Sequence, residues 1–207
     1  MHNADHNHIS GILSQYIGSD LRTLAETCGI TVIKDGKKNK GWVGHVIEEL
    51  AGLPRNCVQA PNGYDFELKV VSCKRDKGTW VVKETMAITM INPDDVLRRS
   101  FHESHLLAKL QRLIICAREW VSDSEPRARL LKVVHVELND ALMAQVKADY
   151  EECQEVIKTR GFRELSGRMG VLVQPRTKGP GHGSTSRAFY ARKVLVRELL
   201  GDLPDWE

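Results

Sequence analysis

Several features that would quickly decide the class of this protein are missing from its sequence. The five cysteines are scattered and odd in number, and no two of them form a C-x-x-C pair. Their pattern argues against a disulfide framework or a zinc finger and predicts a reducing, cytoplasmic compartment. No apolar run approaches the length of a membrane span, so we expect no membrane partner. The net charge is only +3, so the chain as a whole is not strongly basic.

What is present is an ordinary globular composition. The chain has 207 residues, of which 42% are hydrophobic and 28% are charged. This length is enough for one well-buried domain. Because the sequence contains no internal repeat and no linker, we predict a single domain over residues 1–207, in one body or in two lobes.

The stretch 64–70 alternates between apolar and charged side chains. Its charged positions are Asp65, Glu67 and Lys69. Strict alternation predicts a strand with one face on a core and the other face open. Two carboxylates can bind a hard cation such as Mg²⁺, and a neighbouring lysine can orient or deprotonate an attacking water. The competing interpretation is a solvated strand face with a cross-strand ion pair.

The stretch 41–52 is predicted to be a helix with an apolar stripe on one side. Gly41, Gly44, Glu48 and Gly52 fall together on another side. Three glycines around one carboxylate predict the close approach of a backbone or a ligand, because glycine is otherwise unfavourable in a helix. The alternative is that Glu48 is simply exposed.

The rest of the chain contains three further informative patterns. A basic turn at 72–78 is followed by a predicted long strand over 80–91. Asn139 is expected to cap a helix over 140–160 that ends at Gly161. Between 168 and 197 there are seven basic residues and no acid, a pattern typical either of phosphate-backbone binding or of a solvated surface.

Spaced motifs in this chain follow, in order, a known pattern. They are Lys40-Gly41-Trp42-Val43-Gly44 before Glu48, then Asp65, Glu67-Leu68-Lys69, Glu84-Thr85, Ser104-His105, Lys109-Leu110 and Arg112, and more weakly Gln174-Pro175-Arg176 and Phe189-Tyr190-Ala191-Arg192-Lys193. The chain resembles the MutH-type DNA endonucleases from about Leu21 onward. This group contains the mismatch-repair strand-nicking enzyme and related type II restriction enzymes that cut GATC.

The resemblance implies a fold, a cofactor and a set of site residues. The implied fold is the restriction-endonuclease (PD-(D/E)XK) fold, an α/β mixed sheet flanked by helices. If the domain has two lobes, they are expected to lie on either side of a DNA cleft. The implied cofactor is Mg²⁺, with Asp65, Glu67 and Glu48 as metal ligands. Lys69 would be the catalytic lysine, and Lys109 a second lysine near the scissile phosphate. The implied DNA contacts are Gln174, Arg176 and Tyr190 at reading positions, Lys40 and Arg192 near phosphates, and also Glu84 and Lys178.

Two departures from the family pattern bear on function. Only one residue separates Asp65 from Glu67, where the family has several, so either Asp65 or Glu48 is the main metal partner of Glu67. Gln174 stands where the family has arginine, and a change of donor at a base-reading position predicts a different preferred base.

The altered reading position favours a stand-alone, sequence-specific type II restriction enzyme that cuts double-stranded DNA. The first alternative is a mismatch-repair endonuclease that nicks the unmethylated strand together with a repair partner protein. The second is a DNA-binding module without catalysis. The sequence leaves the oligomeric state open.

Overall fold

A computed structural model describes residues 6–53, 66–179 and 185–205 of the chain. The chain divides into two compact units. Unit 1 comprises Met1–Lys83, Arg112–His135 and Leu200–Glu207, and unit 2 comprises Glu84–Gln111 and Val136–Leu199. The predicted single domain, like the predicted DNA cleft, stays a prediction.

Unit 1 is built on a four-stranded mixed sheet. Its helices are α1 (His6–Ser14), α2 (Leu21–Thr27) and α3 (Trp42–Leu50), and its strands are β1 (Ile33–Lys34), β2 (Lys37–Lys38), β3 (Glu67–Asp76), β4 (Thr79–Val82), β6 (Leu113–Glu119) and β7 (Leu130–His135). The sheet order is β4-β3-β6-β7. β3 pairs parallel with β6, and the other two pairings are antiparallel. Because α1 packs against β7 and α3 against β3, the predicted mixed sheet flanked by helices is confirmed.

The centre of this sheet is buried on both faces. All seven residues of β6 are buried, which suits its apolar sequence and its place between two neighbouring strands. Burial raises the pKa of the Cys73 thiol to about 11 and that of the Cys116 thiol to about 12. These thiols therefore stay protonated at neutral pH, and they pack in the hydrophobic core rather than act as reactive thiolates.

Both the turn that ends β3 and the strand that follows it differ from the prediction. β3 runs on to Asp76, and the turn is confined to Lys77 and Gly78, which both have positive φ (50° and 84°). Such a two-residue turn matches the twist of an antiparallel hairpin. The single strand predicted over 80–91 is wrong, because it is two strands, β4 in unit 1 and β5 (Met86–Met90) in unit 2.

A buried ionic cluster lies at the end of β6. Arg118 donates to both carboxylate oxygens of Glu125, with 2.9 Å between Nη2 and Oε1, and Nζ of Lys38 lies 2.5 Å from Oε1. The Glu125 side chain is only 1% exposed. Burial alone would raise the pKa of Glu125, but hydrogen bonds and charges from Arg118 and Lys38 outweigh it and lower that pKa.

Unit 2 contains a three-stranded antiparallel sheet and the longest helix. Its elements are β5, α4 (Pro93–Arg98), α5 (His105–Leu110), α6 (Asp140–Arg160), β8 (Val173–Thr177), β9 (Arg187–Ala191) and α7 (Lys193–Leu200, counted with this unit to Leu199), with short 3₁₀ turns at Phe101–Glu103 and Phe162–Glu164. The strand order is β5-β9-β8. Buried aromatic rings of Tyr150 and Phe189 pack 5.9 Å apart between α6 and β9.

Helix α6 confirms the prediction made for 140–160. The Asn139 side chain accepts a hydrogen bond of 2.9 Å from the Leu142 amide, and the helix ends at Gly161. Among the described residues, no helix combines the length and the apolar character needed to cross a membrane.

Candidate active site

The first half of β3 shows the predicted alternation where it is described. Phe66, Leu68 and Val70 pack against the hydrophobic core formed with α1, α2 and α3. Glu67 and Lys69 occupy the other face, since neighbouring residues of a strand point to opposite sides. Asp65, the first charged residue of the predicted set, lies outside the described residues.

Glu67 and Lys69 form an ion pair within one strand. The Lys69 ammonium contacts Oε1 of Glu67, and the side chains of Lys69 and Glu67 are 29% and 22% exposed, respectively. This pair is not the cross-strand pair of the competing interpretation, because both partners belong to β3. Both side chains are partly exposed, so the pair stays accessible to water.

The strand face that carries this pair is not open along its whole length. Val71 and Cys73 follow on the same face and are buried, with 4% and 0% exposure. The prediction of an open face is therefore correct only for its first part. Along β3, Glu67 and Lys69 pair with β6 alone, whereas the pairing with β4 begins at Cys73.

Helix α3 places Glu48 on an element that packs directly against β3. Val43, Val46 and Ile47 form its buried side, as predicted, while Glu48 is half-buried. A Cβ added at Gly44, one turn before Glu48, would have no heavy atom within 4 Å. No described backbone therefore approaches the helix closely at Gly44.

The donor chemistry of these residues fits Mg²⁺, because Glu48 and Glu67 supply the carboxylate oxygens that this cation prefers. Among the described residues, however, no group of three histidine, cysteine, aspartate or glutamate side chains could hold a metal ion. The third predicted ligand, Asp65, is not among these residues. The choice between Asp65 and Glu48 as the main metal partner of Glu67 stays open.

Three further predicted residues lie on exposed surfaces. Lys40 lies two residues before the start of α3 in unit 1, Lys109 lies in the last turn of α5 in unit 2, and Glu84 lies between β4 and β5. Because Lys109 belongs to a different unit from Glu67 and Lys69, its place near the scissile phosphate stays a prediction.

The predicted DNA-reading residues share one face of the sheet in unit 2. Gln174 on β8 pairs with Tyr190 on β9, and Arg176 follows two residues later on the same face. The Arg176 guanidinium stacks over the Tyr190 ring at 5.4 Å, and its Nη1 donates to the Thr85 hydroxyl at 2.7 Å. Sequence reasoning included Thr85 only as part of a motif and gave it no role.

The three predicted reading residues differ in how far their side chains are exposed. Gln174 is only 6% exposed, whereas Arg176 is exposed and Tyr190 is half-buried. The exposed donor on this face is therefore Arg176. Gln174 lies below the surface, next to the backbone turn at Gly167.

The basic stretch 168–197 separates into two groups. Its exposed members are Arg168, Arg176, Lys178, Lys193 and Arg197. By contrast, Arg187 donates to the carbonyl oxygens of Phe162 and Arg163, and Arg192 donates to those of Gly167, Met169 and Gly170. The predicted phosphate contact of Arg192 is untested, but its guanidinium already has a structural use.

Sequence reasoning missed the buried carboxylate of Asp149 in α6. Its two oxygens accept hydrogen bonds from the amides of Val171, Leu172 and Val173. A signal was present, because Asp149 interrupts the apolar stripe Val146, Tyr150 and Cys153 of that helix.

Comparisons with known proteins agree with the resemblance found in the sequence. Residues 59–149 match the family model of the DNA mismatch repair enzyme MutH. Proteins named DNA mismatch repair protein MutH are similar over most of their length. The relative from Vibrio vulnificus is 27% identical over 194 residues, which are 90% of this chain and 82% of the relative. The relative from Histophilus somni is 24% identical over 207 residues, with 89% of each chain covered.

A third relative, from Shewanella woodyi, is 25% identical over 198 residues and covers 88% of this chain and 85% of its own. The predicted resemblance is thereby confirmed, and the mixed sheet of unit 1 agrees with a restriction-endonuclease-like fold. The family model includes Glu67, Lys69 and Lys109, but it ends before β8 and β9, which carry the predicted DNA-reading residues.

Proposed function

From the similarity of this chain to the MutH-type DNA endonucleases, we propose that it hydrolyses phosphodiester bonds in double-stranded DNA as a Mg²⁺-dependent endonuclease. The observation that carries the proposal is the partly exposed Glu67–Lys69 pair at the start of β3. The relatives favour a mismatch-repair nicking enzyme over the type II restriction enzyme preferred from the sequence. The proposed setting is the cytoplasm, with a second mismatch-repair protein that stimulates nicking.

Unit 1 supplies the chemistry in this proposal. Glu67, together with Glu48 or Asp65, would hold Mg²⁺, which when bound would stabilise the negative charge that develops on the phosphate. The Lys69 ammonium, held beside Glu67, would donate a hydrogen bond to the attacking water and orient it towards the phosphorus atom. As the water oxygen bonds to phosphorus, the bond between phosphorus and the leaving oxygen of the deoxyribose would break. The attacking water would release a proton to solvent, the leaving oxygen would take one up, and the strand would be nicked.

Unit 2 supplies DNA recognition. The Arg176 guanidinium carries the planar donors that read guanine in the major groove, and the Tyr190 ring holds it in place. Lys178 is exposed on the same unit and would contribute a phosphate contact that does not depend on sequence.

The test incubates the purified protein with plasmid DNA and Mg²⁺, alone and with a mismatch-repair activator, and maps the ends produced. We expect nicked circles from the wild-type protein, more of them with the activator, and none from Lys69→Ala. Lys74→Ala serves as the matched control, because it removes a lysine from the other face of the same strand.

Each alternative has its own outcome in this experiment. Linear product from the protein alone would favour the restriction enzyme. DNA binding without any Mg²⁺-dependent cleavage would favour the non-catalytic module. Full activity of Lys69→Ala would remove the observation on which the proposal rests.

A further inference from the structure

The chain makes a tight turn directly before the strand that carries the reading face. Gly170 has a φ of +71°, and a Cβ at this position would collide with the carbonyl oxygen of Val173. Only glycine can therefore occupy the turn without moving the backbone. β8 begins three residues later, at Val173.

Asp149 holds the outgoing side of this turn. Its Oδ1 accepts from the Val171 amide at 2.8 Å, and its Oδ2 accepts from the amides of Leu172 and Val173, each at 2.7 Å. The Asp149 residue is 2% exposed. A buried carboxylate is costly unless its oxygens are satisfied, and here three successive backbone donors satisfy them. The carboxylate thus fixes where β8 begins relative to α6.

Arg192 holds the incoming side of the same turn. Its Nε donates to the Gly170 carbonyl oxygen at 2.9 Å, and its Nη2 donates to the carbonyl oxygens of Gly167 and Met169 at 2.9 and 2.8 Å. The Arg192 amide also donates to the Leu172 carbonyl oxygen at 2.8 Å. This arrangement requires the planar donors of a guanidinium, which a lysine cannot reproduce.

These contacts matter because side chains alternate along β8. In the observed register Gln174 lies opposite Tyr190, and Arg176 lies opposite Ala188. A shift of one residue would move Arg176 to the other face of the sheet and away from the Tyr190 ring. The turn can therefore fix that register from the start of β8.

We propose that Asp149 and Arg192 are positioning residues for DNA reading, which hold the start of β8 so that Arg176 is presented beside Tyr190. The proposal rests on the proposed endonuclease function and adds residues that determine its sequence discrimination. This positioning role differs from a phosphate contact of Arg192. A phosphate contact needs only a positive charge, whereas the positioning role needs the planar donor geometry of the guanidinium.

The experiment compares Arg192→Lys, Arg192→Ala and the control Lys193→Ala, which removes an exposed charge from the next residue. The duplex substrate carries the site found by mapping plasmid ends, and a second duplex differs by one base pair. Three quantities are measured for each variant: the ratio of kcat/KM on the two duplexes, the salt dependence of binding, and hydrogen exchange of the amides at 171–173.

We expect Arg192→Lys to lose at least tenfold in the discrimination ratio, with faster exchange at 171–173 and unchanged salt dependence. Asp149→Asn should show the same pattern if it folds, and the conclusion does not depend on that variant. Lys193→Ala should keep the ratio. A merely structural role would lower the melting temperature of Arg192→Lys without changing the ratio, and that result would overturn the proposal.

A phosphate contact would give a different pattern. Arg192→Lys would then behave like the wild-type protein, while Arg192→Ala would reduce the salt slope by about one with an unchanged ratio. That result would overturn the positioning role alone. A wild-type protein that neither binds nor cuts DNA would overturn the proposed function, and the positioning role would fall with it.

Discussion

Two regions of the unit 1 sheet each contain a paired carboxylate, but they differ in how far that carboxylate is buried. At the start of β3, Glu67 and Lys69 are partly exposed and face each other. At the end of β6, Glu125 is almost fully buried between Arg118 and Lys38. Both regions contain an acid paired with a base, but only the first leaves its carboxylate accessible to water and to a ligand.

The comparison suggests that partial exposure, rather than charge itself, distinguishes a charged group that can take part in catalysis from one that stabilises the fold. A buried carboxylate with all its hydrogen bonds made can hold a loop in place but cannot exchange partners. Arg176 and Arg192 show the same contrast in unit 2, where the first is exposed beside Tyr190 and the second is bound to carbonyl oxygens.

The largest expected effect is on catalysis at the start of β3. We expect Lys69→Ala to reduce cleavage by about 10²–10⁴-fold, because a positioned proton-handling group contributes about that much. DNA binding and the melting temperature should change little, since the side chain is partly exposed. Single-turnover cleavage and thermal unfolding of the same preparation check this. If Lys69→Ala lost stability as well as activity, the start of β3 would have a structural role like that of the end of β6.

The buried region should respond in the opposite way. Glu125→Ala leaves Arg118 buried without its partner, which typically costs about 3–5 kcal/mol in the free energy of unfolding. Urea unfolding measures this cost. The control is Glu151→Ala, which breaks the exposed Lys147–Glu151 pair of α6 and should cost less than about 1 kcal/mol. Similar costs for both variants would contradict the assigned role of the buried cluster.

The same cluster predicts a dependence of stability on pH. The pKa of Glu125 is lowered below its usual value of 4.5, so its contribution to stability is complete above that value. The contribution is lost as the pH falls through the lower pKa of the folded state, where protonation breaks the pairing. The difference in unfolding free energy between the wild-type protein and Glu125→Gln should therefore shrink on acidification below pH 4.5. A constant difference would count against the assignment.

A smaller effect is expected at the reading face. Arg176→Ala should lower the discrimination between the mapped site and a duplex changed by one base pair by about 1–3 kcal/mol. The control Arg168→Ala removes an exposed arginine from the same basic stretch and should leave the discrimination unchanged. Competition binding with the two duplexes measures both variants. Equal losses would mean that charge alone explains the effect.

The smallest effect is expected for an exposed lysine next to that face. Lys178→Ala should weaken binding to all duplexes alike and reduce the salt slope by about one, because a phosphate contact carries no sequence information. Binding titrations over a range of salt concentrations would show this. A change in sequence preference would instead place Lys178 among the base-reading residues.

The sequence by itself determined the features that depend on neighbouring residues. The apolar side chains of Phe66, Leu68 and Val70 face the core as their alternation predicts, and α6 begins and ends where Asn139 and Gly161 indicate. The spaced motifs also identified the resemblance that the comparisons confirm. These features are readable because strand and helix periods, caps and motifs are local properties of the chain.

Only the tertiary structure decided which charged groups are used for architecture. Glu125 meets Lys38, 87 positions away in the chain, and Arg192 meets carbonyl oxygens more than 20 positions before it. No local pattern distinguishes Arg192 from Arg176, since both belong to the same basic stretch. Their roles differ because a hydrogen-bonding partner is set by proximity in space, which the chain reaches only after β8, β9 and α6 have packed together.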